Sequence, residues 1–246
     1  DVDADLEIET PSDVEVRNVI LTDFEGREAV PDGRVHAIPL ELPPPSLEDQ
    51  TCDIGRIMRG LHMEHYPRLA LPLLQEVPQR LRACDFKITV VMEDGELLGI
   101  EPHWETPRTL GLALDIGTTT IAGALFDLLA GTPLAFGSST NAQALRGDDV
   151  VTRIDHARTG TDARAELQSL VVKAAEDILR DTCAQAGVRI EQVYMIAIGG
   201  NTTMHHLFMG LDPSFIAESP FIQSALRGVT VRAAELGLNA GHGARV

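Results

Sequence analysis

The stretch LALDIGTTTIAGALFD, residues 112–127, decides how the second half of the chain is read. An apolar run ends on one acid, Asp115; Ile116, Gly117 and three threonines follow, and the apolar pattern then resumes. Two strands joined by a tight turn, 110–116 and 120–128, fit that pattern. Such a turn, built from glycine and small hydroxyl residues, can aim several backbone N–H groups at one point, a concavity suited to phosphate. Gly117 lets the backbone come close, and Thr118 and Thr119 can add hydroxyl donors. Asp115, at the strand end, can hold Mg2+ directly or through water. Phosphate, metal and water together make a phosphoryl-transfer site. A plain hairpin with β-favouring threonines and a turn aspartate explains the same six residues, so the hexapeptide alone leaves both readings open. It is not a Walker A loop, because the G-K-[ST] ending is missing.

Downstream, the pattern predicts a turn at Gly131-Thr132-Pro133, a strand over 134–140 and a helix near 147–158. A longer helix over 161–186 carries Leu167, Leu170, Val171, Ala174, Ile178 and Leu179 on one face, with Gly187 as its C-cap. VYMIAIGG, 193–200, is a continuous apolar strand of the buried type. NTTMHHLFMGL, 201–211, predicts the next helix, with Asn201 as N-cap. The order β-β-β-α-α-β-α is that of a mixed α/β layer structure.

Upstream, residues 34–41 read as a strand and Pro43-Pro44-Pro45 as a stiff extended entry. Ser46 is an N-cap candidate for the first of two helices, 49–63 and 67–83. Leu69, Leu73, Leu74, Val77 and Leu81 recur at helical spacing, and Pro72 and Pro78 weaken the second helix. FKITVVM, the turn Glu93-Asp94-Gly95 and ELLGIEP then form a hairpin. Residues 34–107 thus predict a small α+β domain whose exit is bracketed by Pro102 and Pro107. Residues 1–33 read as a strand-rich linker ending at Pro31-Asp32-Gly33.

Two further motifs carry candidate chemistry. In IAIGGNTTMHH, 196–206, a buried strand feeds Gly199 and Gly200 and then Asn201 and Thr202, where free N–H groups favour an anion; an ordinary capped turn reads the same way. In NAQALRGDDVVTRIDHA, 141–157, Asn141 and Gln143 precede a helix start crowded by Asp148, Asp149, Arg153 and Asp155. Helix-dipole complementarity and an i,i+4 pair between Asp149 and Arg153 account for those charges. The alternative has Asp149 pointing into a cleft to orient or deprotonate water. His62 and His65 sit three apart with no third ligand nearby in sequence, and His205 and His206, being adjacent, point to different helix faces.

The 246 residues are enough for a sizeable core. The formal charge of −17 is uneven: residues 1–107 hold 23 acids and 9 bases, and residues 108–246 hold 14 and 11. The first part would repel nucleic acid and anionic membranes. A solvated acidic surface is the plain reading, and a basic protein partner would also suit it. No apolar run is long enough to cross a bilayer. Cys52, Cys84 and Cys183 are too far apart for a local zinc or iron–sulfur cluster, and buried free thiols in a reducing cytoplasm are expected. The acidic start is not a signal peptide. The missing initiator Met points to a fragment or a processed chain.

Together the motifs resemble a known family. The loop at 112–123 is similar to the first phosphate loop of the acetate and sugar kinase/Hsp70/actin superfamily. More narrowly, Asn141, Gln143, Gly147, Asp149, Val150, Arg153 and Ile154 at their spacing, and Gly200-Asn201-Thr202-Thr203-Met204 with His206, resemble the ATPase domain of reductive activators of corrinoid proteins. LPPPSLEDQTCDIGRIMRGL resembles the small middle domain that precedes it in that family. The resemblance implies an α/β chain: a linker, the α+β middle domain, then over 108–246 an RNase H-like/actin-like first ATPase lobe. It implies ATP and Mg2+ as cofactors, with Asp115 holding Mg2+ through water. Gly117, Thr118, Thr119, Thr120, Gly199, Gly200, Asn201 and Thr202 would lie around the phosphates, and Asn141, Gln143 and Arg153 would face the cleft or a partner. The implied activity is ATP-driven reduction of cob(II)alamin to cob(I)alamin on a corrinoid protein of a methyltransferase system. A [2Fe-2S] ferredoxin-like domain of the complete protein would supply the electrons. A cytoplasmic location and a homodimer are compatible with this; nucleic acid and membrane are not expected. The ferredoxin cysteines are absent from this chain, and LNAGHGARV resembles the opening of a second lobe. The chain by itself is therefore expected to bind ATP negligibly. A small-molecule kinase with Asp149 as base, or an ATP-switched interaction protein, are the competing classes.

Overall fold

A computed structural model describes residues 34–103, 108–225 and 228–246. The linker expected over 1–33 and the exit proline at 107 lie outside the described residues. The structure is α/β, with two four-stranded sheets. Among the described residues, no helix is long and apolar enough to cross a membrane.

The first sheet contains β1 (Val35–Glu41), β2 (Arg68–Leu69), β3 (Lys87–Glu93) and β4 (Glu96–Pro102), in the spatial order β1-β3-β4-β2. Asp94 and Gly95 both take positive φ, 46° and 75°, which is how a two-residue turn follows the twist of the β3–β4 hairpin. Helices α1 (Asp53–Gly60) and α2 (Leu71–Ala83) cover one face of this sheet. Ile57, Leu73, Val77 and Leu81 pack on Ile88, Val90, Leu97 and Ile100.

Both helices start later than their periodicity predicts. Ser46 does cap, but its Oγ accepts the N–H groups of Glu48 and Asp49 at 3.1 Å, closing a turn ahead of the helix. Arg56 explains the delay. It is buried and donates to the Pro43 carbonyl at 2.9 Å and to Asp49 Oδ2 at 2.9 Å, strapping the extended segment across α1. The second helix gives up residues 67–70 because Arg68 and Leu69 pair in parallel with Glu96 and Leu97. Pro72 then falls in the first turn of α2, where a missing N–H costs nothing. Leu74 lies on its exposed side.

The second sheet contains β5 (Leu110–Ile116), β6 (Thr120–Asp127), β7 (Thr132–Thr140) and β8 (Val193–Gly200), in the order β7-β6-β5-β8. The first three form an antiparallel meander, and β8 returns parallel to β5. The return passes through a 3-10 turn at Ala142–Leu145, α3 (Val150–Arg158) and α4 (Thr161–Ala186), and α5 (Thr202–Phe208) follows β8. The long helix has the predicted bounds, and Gly187 ends it in the left-handed conformation, φ 63°. Leu167, Val171, Ile178 and Leu179 pack on Leu112, Leu114, Ile116 and Ile196. The opposite face near the ends of β5 and β8 carries Ala113, Asp115, Ala197 and Gly199, all exposed. The β6–β7 turn comes slightly earlier than predicted. Asp127 Oδ1 accepts the N–H groups of Leu129 and Ala130, so Thr132 and Pro133 already belong to β7.

The two sheets share a small apolar cluster. The far side of the β3–β4 hairpin, Val91 and Leu98, packs against Val35 and Tyr194. The stretch Leu238–Val246 runs beside β8: Arg245 N–H donates to the Tyr194 carbonyl at 3.0 Å, and Ile196 N–H donates to the Arg245 carbonyl at 2.7 Å. Leu238 and Ala244 join the core of the second sheet.

Candidate functional site

β5 and β8 are parallel and in register, so Asp115 lies beside Gly199 and Ile116 beside Gly200. Two chain turns, 117–119 and 200–201, therefore emerge side by side from the same sheet edge. The carboxyl ends of parallel strands are where such sheets bind ligands. Two glycines permit this crowding. A Cβ on Gly117 would lie 2.7 Å from the Thr120 carbonyl oxygen, and one on Gly200 would lie 2.9 Å from the Ile116 oxygen. Gly199 is different: a Cβ there would make only an ordinary 3.7 Å contact. Its missing side chain leaves the space beside Asp115 open.

The carbonyls of the threonine loop are held from below. Asn141 Nδ2 donates to the Gly117 oxygen at 2.9 Å, Arg153 Nη2 to the Thr118 oxygen at 2.6 Å, and the Asn141 backbone N–H to the Thr119 oxygen at 2.7 Å. In a trans peptide the C=O of one residue and the N–H of the next point in opposite directions. With the Gly117 and Thr118 carbonyls turned to the buried side chains, the Thr118 and Thr119 N–H groups turn away from them. Two adjacent N–H groups so directed are placed to meet an anion.

Asn141, Gln143 and Arg153 are expected to face a cleft or a partner, and here the structure corrects the reading. All three are buried, with exposures of 1%, 0% and 0%. Gln143 Nε2 donates to the Leu167 carbonyl at 2.9 Å, anchoring the segment to α4. Arg153 donates to the Gly147 carbonyl at 2.9 Å and to Gln143 Oε1 at 3.3 Å, in place of a surface pair with Asp149. Backbone oxygens within reach of a planar, five-donor fork draw it inward. Met204 lies at the centre of this network, with its sulfur 3.4 Å from Arg153 Nη1 and 3.8 Å from Asn141 Nδ2. Neither its periodicity nor its residue type marked Met204 for this place.

Asp149 is the N-cap of α3. Its Oδ1 accepts from the Thr152 N–H at 2.8 Å and from the Thr152 hydroxyl at 2.9 Å. The Thr152 N–H, and then its hydroxyl, hold the Asp149 carboxyl below the usual carboxylate range. In this structure the carboxylate is engaged as the cap of α3. Asn201 caps α5 in the same way, its Oδ1 accepting the Met204 N–H at 3.0 Å. Buried His206 accepts the Ser224 N–H on Nε2 at 3.0 Å and meets the Thr202 carbonyl through Nδ1 at 2.8 Å. A cleft of about 540 Å³ opens against the same corner, lined by Gly200, Thr202, His205, Phe208 and Met209.

Among the described residues no group of three or more His, Cys, Asp and Glu could hold a metal ion. Asp115 is exposed and stands singly at its strand end. One such carboxylate fits Mg2+ held mainly by water and by a ligand's oxygens, and it does not fit an all-protein cage.

Residues 110–246 match the family model described as the RACo middle region, and residues 25–107 match the RACo linker region. The chain belongs to the RACo family. The matched RACo middle region begins at Leu110, the first residue of β5, and the RACo linker match ends shortly after β4. Over 137 residues the chain is 30% identical to the corrinoid activation enzyme RamQ of Eubacterium limosum, covering 55% of this chain and 23% of that protein. It also resembles the solved structure of a reductive activator for corrinoid, iron–sulfur protein, with a TM-score of 0.73 and 30% identity. That match covers 89% of this chain and 36% of the other. The chain thus spans about a quarter to a third of the RACo-type relatives it matches.

Proposed function

We propose that this chain is the nucleotide-sensing portion of an ATP-dependent reductive activator, which returns cob(II)alamin to cob(I)alamin on the corrinoid protein of a methyltransferase system. The observation that carries the reading is the inward anchoring of the Gly117 and Thr118 carbonyls, which turns two adjacent amides outward beside an exposed carboxylate. Thr118 and Thr119 would receive ATP phosphate oxygens on their N–H groups, Thr119 and Thr120 would add hydroxyls, and the Gly199–Thr202 corner would close the other side. Mg2+ would neutralise the phosphates from a water-linked place on Asp115. The electrons would come from a [2Fe-2S] domain of the complete protein.

ATP can drive an uphill electron transfer only if it binds two conformations with different affinity. The threonine loop is joined through Arg153 to α3 and through Asn141 and Met204 to α5, so a nucleotide held there bears on both helices. The alternative of a small-molecule kinase needs a general base, and the Asp149 carboxylate is here engaged in capping α3. In the protein that carries this chain with its redox domain, Asp115→Ala should abolish ATP-dependent reduction of a cobalamin-bound partner, read from the cob(II)alamin absorbance. Reduction at the wild-type rate would refute the role given to Asp115.

A further inference from the structure

We propose that Arg153 is the positioning residue of the threonine loop: a buried guanidinium that fixes the Thr118 and Thr119 amides for a polyphosphate and lends them positive charge without touching the ligand. The proposal rests on the phosphate reading above and deepens it.

Arg153 is wholly buried, and an unpaired buried charge is costly unless its donors are satisfied. Its partners are the oxygens of Gly147, Gln143 and Thr118 and the sulfur of Met204. None of these is a carboxylate. Asp148 and Asp149 act on it only through space, from exposed positions. The side chain therefore holds a positive charge behind the loop that no direct contact neutralises. Its shortest bond, 2.6 Å, goes to the Thr118 carbonyl, the one that sets the direction of the Thr119 N–H.

Stability alone does not account for this arrangement. An apolar side chain of similar length would fill the volume at lower desolvation cost. A fixed charge with a fixed peptide dipole in front of it is instead the arrangement that favours an anion at no reorganisation cost. Lysine could keep the charge, but as a single-point donor it could not span the Gly147 and Thr118 oxygens. The ligand class that follows is a chain of phosphates, whose oxygens can meet two successive amides.

The test uses amide NMR spectra of the complete protein that carries this chain, labelled at threonine and titrated with magnesium inorganic triphosphate, in the wild type, R153K and R153M. R56K, which alters a buried arginine of α1 on the other sheet, is the control. Saturable shifts of the Thr118 and Thr119 signals are expected in the wild type and unchanged in R56K. In R153M the affinity read from those signals should fall at least about tenfold, the equivalent of one charge-assisted hydrogen bond. R153K should bind more weakly than the wild type, and it carries the test should R153M not fold. A folded R153K or R153M that binds as tightly as the wild type overturns the role of Arg153 and leaves the phosphate reading standing. Wild-type loop signals that do not move overturn both.

Discussion

The Tyr194 hydroxyl donates a 2.9 Å hydrogen bond to Oε1 of Glu101, across the junction between the two sheets. Both residues are buried, and Arg189 pairs with the other carboxylate oxygen. At the opposite end of the same hairpin, Arg245 reaches Glu93 at 2.7 Å and also Glu96, and Arg232 pairs with Glu96 as well. Three buried carboxylates of the hairpin thus meet three arginines and a tyrosine of the second half. Removing one partner of such a set leaves a buried charge under-satisfied. Tyr194→Phe should lower stability by about 1–3 kcal/mol, the cost of a lost hydrogen bond to a charged group, as read from urea unfolding.

The same tyrosine gives the stability a pH dependence. Burial, and next the Glu101 charge, push the Tyr194 pKa well above its ordinary value. The unfolded chain releases this proton near about pH 10, whereas the folded chain retains it. The tyrosine's contribution is therefore fully present below about pH 10 and declines as pH rises beyond it. Urea midpoints measured between neutral and strongly alkaline pH should fall in the wild type, and fall less in Tyr194→Phe.

Gly99 packs against the hydroxyl end of that ring. A Cβ at residue 99 would lie 2.5 Å from the Tyr194 hydroxyl and ring edge. Gly99→Ala should therefore destabilise by about 1–3 kcal/mol through overpacking. The loss should shrink in a Tyr194→Ala background, a coupling that a double-mutant cycle measures directly.

The two glycines flanking Asp115 should respond differently. Gly117→Ala forces its Cβ against the Thr120 backbone oxygen, while Gly199→Ala meets no close atom. The first should shift the Thr118 and Thr119 amide resonances and lower the melting temperature. The second should leave the melting temperature unchanged and affect only nucleotide-dependent activity. Asp115→Ala, at an exposed position, should change stability by less than about 0.5 kcal/mol.

The three thiols should be separable by rate. Cys52 is exposed, and a hydrogen bond from the Tyr66 hydroxyl lowers its pKa. Burial raises that of Cys84, and pushes Cys183 up to about 11. Because the thiolate is the reactive form, a chromogenic disulfide reagent at mildly alkaline pH should consume Cys52 first. Cys84 should follow, and Cys183 should react only on unfolding.

Local chemistry was enough to reveal most of the elements. The 161–186 helix, the Asp94-Gly95 hairpin and the β5–turn–β6 unit rest on periodicity, caps and turn residues, which act over a few residues and so are written in order along the chain. Asp115, Gly117 and the threonines stood out for the same reason: they interrupt a pattern. The tertiary structure decided what those signals could not carry. Arg153 looks like half of a surface i,i+4 pair, yet buried carbonyls 6 and 35 residues away along the chain claim it. Arg68 and Leu69 leave a helix for a strand because Glu96 and Leu97 offer an edge. Glu93, Glu96 and Glu101 read as ordinary hairpin acids, and only the return of Tyr194, Arg232 and Arg245 buries them. The direction of a peptide dipole and the burial of a charge depend on groups distant in sequence. Sequence alone could therefore mark the threonine loop, while the fold determined what holds it.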